Sequence, residues 1–235
     1  MFTNDNLKET HMIQSIHLLY PVQGKSNLEI IKRLHRSLID GFPKLFKNSL
    51  VPDTPPPNTN DYFIVDQKNR RHIVMSDKVI QYDENKVLNN TSFNNVGKFL
   101  YNFYLENMGV KPEDLRLIGK VRDYTLEVDE VDVDRFDLFK SRYTVLLGKD
   151  LDTIDIHLKF VENNKNIHMY LSTKKADDED DKPPFSIKID INNYDQVSGL
   201  TDESYNDIIS FADSFHKDSL VELLNNKLFG GGTGE

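Results

Sequence analysis

SFNNVGKFLYNFYLENMGVKPEDLRLIGKVRDYTLEV, Ser92 to Val128, is the stretch around which this chain is organised. Its first half places Phe93, Val96, Phe99, Leu100, Phe103, Tyr104 and Met108 at helical spacing, with Asn94, Asn95, Lys98, Asn102 and Glu106 on the other face. Ser92 can cap the start, and Gly109 followed by Pro112 stops it. Beyond the stop, Leu115, Leu117 and Val121 alternate with charged residues, and near Arg122 and Asp123 the apolar set shifts frame to Tyr124, Leu126 and Val128. A frame change inside a strand predicts a bulge.

Upstream, Met12 to Val22 reads as a strand ended by Pro21 and Gly24. Ser26 and Glu29 then form a capping-box pair ahead of Ile30, Ile31, Leu34 and Leu38, which predicts a helix over Asn27 to Asp40. Its polar side carries Lys32, Arg33 and Arg36, with Lys44 and Lys47 close behind, and reads as a solvated face. Val51 to Asn60 is a proline-rich spacer. Tyr62 to Asp66, Arg71 to Ser76 and Lys78 to Tyr82 are β-rich runs separated by polar turns, which makes a meander.

Downstream, Asp134 to Lys140 has the marks of a short helix. Ile154, Ile156, Leu158 and Phe160 alternate with polar residues, as do Ile167, Met169 and Leu171, and the Asn163-Asn164 pair between them suits a two-residue turn that sets Leu158 opposite Met169. Phe185 to Ile191 is a further strand, and Thr201 or Asp202 opens a long last helix running through Tyr205, Ile208, Ala212 and Phe215 to Leu228. The two halves thus share one order: strand, helix, three-stranded meander, helix. The fold expected is α+β, two degenerate βαβββα repeats (1–110 and 111–235) with antiparallel meanders and helices packed on one face; the two may also form one compact domain.

The 235 residues contain no cysteine and no tryptophan, which excludes disulfides, thiolate metal sites and cysteine nucleophiles. No apolar run approaches the roughly 20 residues of a membrane helix. MFTNDNLKETHM lacks the basic and apolar regions of a signal peptide, so a cytoplasmic protein with no membrane contact is expected. Residues 1–150 are electrically neutral, whereas 151–235 carry 8 basic and 17 acidic side chains and hence the whole net charge of -9. That acidity argues against nucleic acid as a partner.

The strand LRLIGKVRDYTLEV after an aromatic helix, and the histidine in FADSFHKDSLVELL, resemble a sporadically distributed bacterial family of uncharacterised proteins. That family carries a mid-chain Arg-Ile-Gly-Leu-Arg-like strand and a histidine-containing C-terminal segment. Here Arg116 and Arg122 each stand three residues from Gly119 rather than two. The resemblance spans most of the chain, implies no activity, and supports the duplicated α+β reading.

Phosphate loops, nucleophile elbows and His-Glu-x-x-His are absent. The acid run Asp177 to Asp181 lacks the spacing of a calcium loop, and the carboxylates from Glu127 to Asp134 read as exposed. His157 and His168 are the one histidine pair on a single hairpin face, where Asp155 and Asp190 could complete a metal site; an ordinary polar sheet face is preferred, and no metal or cofactor is assigned. Arg116, Lys120 and Arg122 are read along the polar side of the organising strand and are the anion-binding candidate, with cross-strand pairing to acids the preferred reading. Leu220, Leu223, Leu224 and Leu228 make the end of the last helix more apolar than an overhanging helix should be; burial under the first half's meander is the preferred fate of this stripe, and if it is not buried there these are the candidate partner-binding residues. The function expected is a non-enzymatic interaction or regulatory subunit, an adaptor or sensor whose polar sheet faces and long C-terminal helix contact a protein partner or a second copy. A metal-assisted hydrolase on the 153–191 sheet face and a nucleic-acid-binding accessory protein are the alternatives.

Overall fold

Eight strands form one antiparallel sheet in the order β2-β3-β4-β1-β5-β8-β7-β6. They are β1 (Leu7–Leu18), β2 (Tyr62–Asp66), β3 (Arg71–Met75), β4 (Val79–Glu84), β5 (Leu115–Leu126), β6 (Ile154–Glu162), β7 (Lys165–Thr173) and β8 (Phe185–Asn193). The computed structural model describes residues 3–18, 28–53, 61–85, 89–126, 154–173, 185–193, 200–215 and 219–228. The helices are α1 (Leu28–Gly41), α2 (Pro43–Phe46), α3 (Asn90–Met108), α4 (Asp202–Ser214) and α5 (Leu220–Leu223), the last followed by a π-helical turn, Leu224–Leu228. The fold is α+β. From either edge inward the strands follow the same sequence, meander first and then the long strand of that half, so β1 and β5 meet at the centre. Both halves therefore share a single sheet.

Alternation fixes which face the helices cover. Met12, Ile16 and Leu18 of β1, Ile80 and Tyr82 of β4, and Ile187, Ile189 and Ile191 of β8 point to one side and are buried there. On that side α1 adds Ile31, Leu34 and Leu38, and α3 adds Phe93, Val96, Leu100, Tyr101 and Tyr104, each side chain contributing about 1.5–3 kcal/mol by its removal from water. A second cluster gathers Tyr124, Leu126, Ile167, Met169 and Leu171 with Phe215, Leu220 and Leu224. Helix α4 serves both clusters: Tyr205, Ile208 and Ile209 belong to the first, Ala212 and Phe215 to the second.

Local chemistry explains the ends of the elements. Asn89, not Ser92, caps α3: its side chain accepts a hydrogen bond from the Ser92 backbone N–H at 3.1 Å, so the cap lies three residues before the expected one. Gly109 closes it in the left-handed region at φ 60°. Thr201 caps α4 in a reciprocal box with Ser204. The Asn163-Asn164 turn is as expected: both residues have positive φ (48° and 59°), the turn geometry whose twist matches a hairpin, and Leu158 pairs with Met169.

The organising strand departs from its reading. Burial alternates from Lys120 through Arg122, Tyr124 and Leu126, so β5 itself does not bulge at Arg122-Asp123; the irregularity expected there falls on the partner strand, opposite Asp123 and Tyr124. The irregularities in the β1–β5 ladder fall at Thr10, where Glu9 pairs with Tyr124 and His11 with Asp123, and at Arg116, where Leu18 pairs with Leu115 and His17 with Leu117. Two cations at core positions break the apolar pattern and mimic a frame shift. The expected single last helix is described as α4 and then α5 with its π turn. The short helix at 134–140, the acid run at 177–181, the acidic stretch 127–134 and the Ser26 cap lie outside the described residues.

Candidate functional site

The helix-covered face holds a buried charge cluster at the centre of the sheet. Lys120 is fully buried, and its ammonium donates to Asn90 Oδ1 (2.9 Å), Asn94 Oδ1 (2.7 Å) and Asp213 Oδ1 (2.6 Å), which engages all three of its donors. Arg122 donates through Nη2 to Asp213 at 3.0 Å and to Asn90, and its Nε lies 2.9 Å from Glu9 Oε1. Burial pulls the Lys120 pKa down to about 8, with Arg122 beside it adding to the fall. At Asp213, one-fifth exposed, burial pushes the carboxyl up, but Lys120 and Arg122 outweigh it and hold it below the usual range. Glu9 goes the other way, raised because burial outweighs Arg122 and Lys120. The cluster ties β5 and β1 to α3 and α4.

These contacts correct the side assigned to the organising strand's cations. Lys120 and Arg122 face the helices and are closed off by the carboxylates and amides around them, while Arg116 sits exposed at the bulge. The three form no common surface. The C-terminal leucines are corrected likewise: Leu220 and Leu224 are fully buried in the second core and Leu223 packs half-buried against it, so two of the four are closed to a partner. The side chain of Leu228 lies outside the described residues.

The opposite face of the sheet has another character. Ile13, Phe63, Val65, Val74, Val79, Leu117 and Val121 point to it, half-buried, and Val161 is 49% exposed. None of them belongs to either core cluster. Five of the six described histidines, His11, His17, His72, His157 and His168, stand on this face too. A polar row crosses it through pairs His72 with Asp83, His11 with Asp123, Asp123 with Lys188, Lys188 with Tyr170, and Tyr170 with His157. His11 bridges the row's centre, with Nδ1 2.9 Å from Asp123 Oδ2 and Nε2 2.7 Å from Asp83 Oδ1. The hydrogen bonds to Asp123 and Asp83 raise its pKa to about 9. His17 is displaced downward, by burial first and by Arg116 second.

His157 and His168 fall on a diagonal of the β6–β7 face, as expected, with Asp190 directly opposite His168 and Asp155 bonded by Ser172. No group of three or more metal-ligating side chains occurs among the described residues. A cleft of about 420 Å³ between α1 and α3, lined by Arg33, Ser37, Phe99, Asn102 and Phe103, is the larger of the described hollows beside one of about 390 Å³ at His35 and Leu50.

No family model matches the chain, and no curated protein matches it either. Among solved structures, the Methanococcus jannaschii TBP is similar over 91% of this chain and 99% of its own, at 10% identity and a TM-score of 0.32. So distant an overlay carries nothing about function, and the α+β assignment stands on the chain's own sheet. Among the described residues, no helix is long and apolar enough to cross a membrane.

Sequence reasoning left three parts of these sites unmarked. Glu9, Asn90 and Asp213 were not legible as one cluster, because they come from three distant elements. The sequence marks only His157 and His168 as sharing a face, whereas period-2 placement within strands sets His11, His17 and His72 on that face as well.

Proposed function

We propose that this chain is a non-enzymatic interaction or regulatory subunit that receives a protein partner on the face of its sheet that none of the described helices covers. One observation supports this above others: eight apolar residues on that face take no part in either core, and they adjoin the histidine and aspartate row. Apolar surface bordered by polar groups is the composition of a protein interface. Catalysis is less well supported. The buried cations are engaged by amides and carboxylates, and His11 is held by two aspartates, which leaves neither group poised for proton transfer.

The test is cross-linking capture from the native host with the wild type, Val74→Glu, Val121→Glu and, on the helix side, Arg36→Glu. The expected outcome is a stoichiometric partner lost with both sheet variants and kept with Arg36→Glu. A dimer in light scattering that Val121→Glu dissolves would identify the partner as a second copy. Capture that is indifferent to charge on the sheet face would refute the reading.

A further inference from the structure

The outer hairpin of the second half joins β6 and β7 in unbroken register from Ile154 opposite Thr173 to Glu162 opposite Lys165. His157 faces Tyr170 across the ladder and His168 faces Lys159, so the two imidazoles meet on the diagonal. His157 Nε2 lies 3.2 Å from His168 Nδ1, with the ring centroids 5.3 Å apart and the planes at 23°. The Tyr170 ring stacks on His157 at 4.2 Å and 9°, which holds that imidazole in place on the exposed face of β6.

An N–H···N contact requires one nitrogen to carry a proton and the other to be bare, so a single proton lies between two lone pairs. Two imidazole nitrogens that bind one cation at about 2.0–2.1 Å, at angles between octahedral and tetrahedral, stand about 2.9–3.4 Å apart. The observed 3.2 Å falls within that bite. We infer that His157 and His168 form a two-point chelate for a divalent transition cation of the zinc type. The cation accepts both lone pairs as the rings tilt toward a common point, the bridging proton moves through water to the far nitrogen of the same ring so that both imidazoles stay neutral, and water completes the coordination. Asp190, opposite His168, and Asp155, two residues before His157 on the same face, supply negative charge nearby; Lys159 and Lys188, on the neighbouring positions, oppose it. Magnesium and calcium prefer all-oxygen shells and are not expected to bind. This site is independent of the partner proposed for the sheet face.

The test is calorimetric titration of the full chain with Zn²⁺, and with Mg²⁺ as control, using the wild type, His157→Ala, His157→Gln, His168→Ala and, elsewhere on the same face, His72→Ala. Thermal melts verify that each variant is folded. The expected result is one zinc per chain, no magnesium, binding weakened at least tenfold in each His157 and His168 variant and unchanged in His72→Ala, and affinity that falls on acidification because protons compete for the same lone pairs. Zinc bound equally by the wild type and the His157 and His168 variants, or no zinc uptake by the wild type, overturns the inference.

Discussion

His11 shows how a single side chain acquires a pH dependence from its neighbours. Its imidazole spans two carboxylates on different strands, and its pKa is about 9 against an ordinary 6.5. A folded-state pKa above the unfolded value means that the folded chain holds the proton more tightly, so the stability contributed is complete below about pH 6.5 and is lost as the pH rises through 9. Lys120 works with the opposite sign: its pKa of about 8 lies below the ordinary 10.5, so its charge burdens the fold below pH 8 and that burden eases toward 10.5. The expected outcome is that the stability difference between the wild type and His11→Asn, measured by urea unfolding, is largest near pH 6 and shrinks by pH 9.5. A difference that is flat over this range would mean that His11 is not bridged as described. The strand expected from Met12 begins at Leu7, so His11 lay outside the predicted element, and Asp83 and Asp123 as its partners were not legible because they lie 72 and 112 residues away.

Helix α3 is seated against β1 through an absence of side chain. A Cβ on Gly97 would stand 2.1 Å from Gln14 Oε1 and 2.5 Å from its Cδ, and Gln14 is itself buried, donating to the Tyr205 hydroxyl at 2.6 Å. Glycine inside an exposed helix costs about 1 kcal/mol relative to alanine, so Gly97→Ala would stabilise a free helix. Here overpacking wins, and Gly97→Ala is expected to cost about 1–3 kcal/mol in chemical denaturation. In a Gln14→Ala background most of that loss should vanish, which a double-mutant cycle reads directly. A stabilising Gly97→Ala in the wild-type background would place the helix farther from the strand than 2.1 Å of clearance implies. The helical period of Ser92 to Met108 was readable from its aromatic residues, whereas the reason for Gly97 appears with Gln14 across the interface.

At the scale of the whole molecule, the seam between the two halves is held by charge as well as by apolar contact. Asp213 comes from α4, Lys120 and Arg122 from β5, Asn90 and Asn94 from α3, and Glu9 from β1, so one cluster joins elements of both halves. Removing its carboxylate leaves two buried cations without their shared acceptor. Asp213→Ala is therefore expected to cost about 3 kcal/mol, more than Lys120→Met, which replaces a buried charge with an apolar chain of similar volume. Equal losses in urea unfolding would mean that the cluster's electrostatics matter less than its packing. The sequence by itself determined the periodic elements: the α3 helix, the two meanders, the Asn163-Asn164 hairpin and the repeated order that yields an α+β sheet, because spacing, turn residues and breakers act over a few neighbouring positions. Only the tertiary structure decided that Lys120 and Arg122 face the core, that Leu220 and Leu224 are interior, and that the strand histidines share the face opposite the described helices. A cation is tolerated inside when acceptors converge on it, and Asp213, 93 residues beyond Lys120, reaches it only after the sheet and helices have assembled.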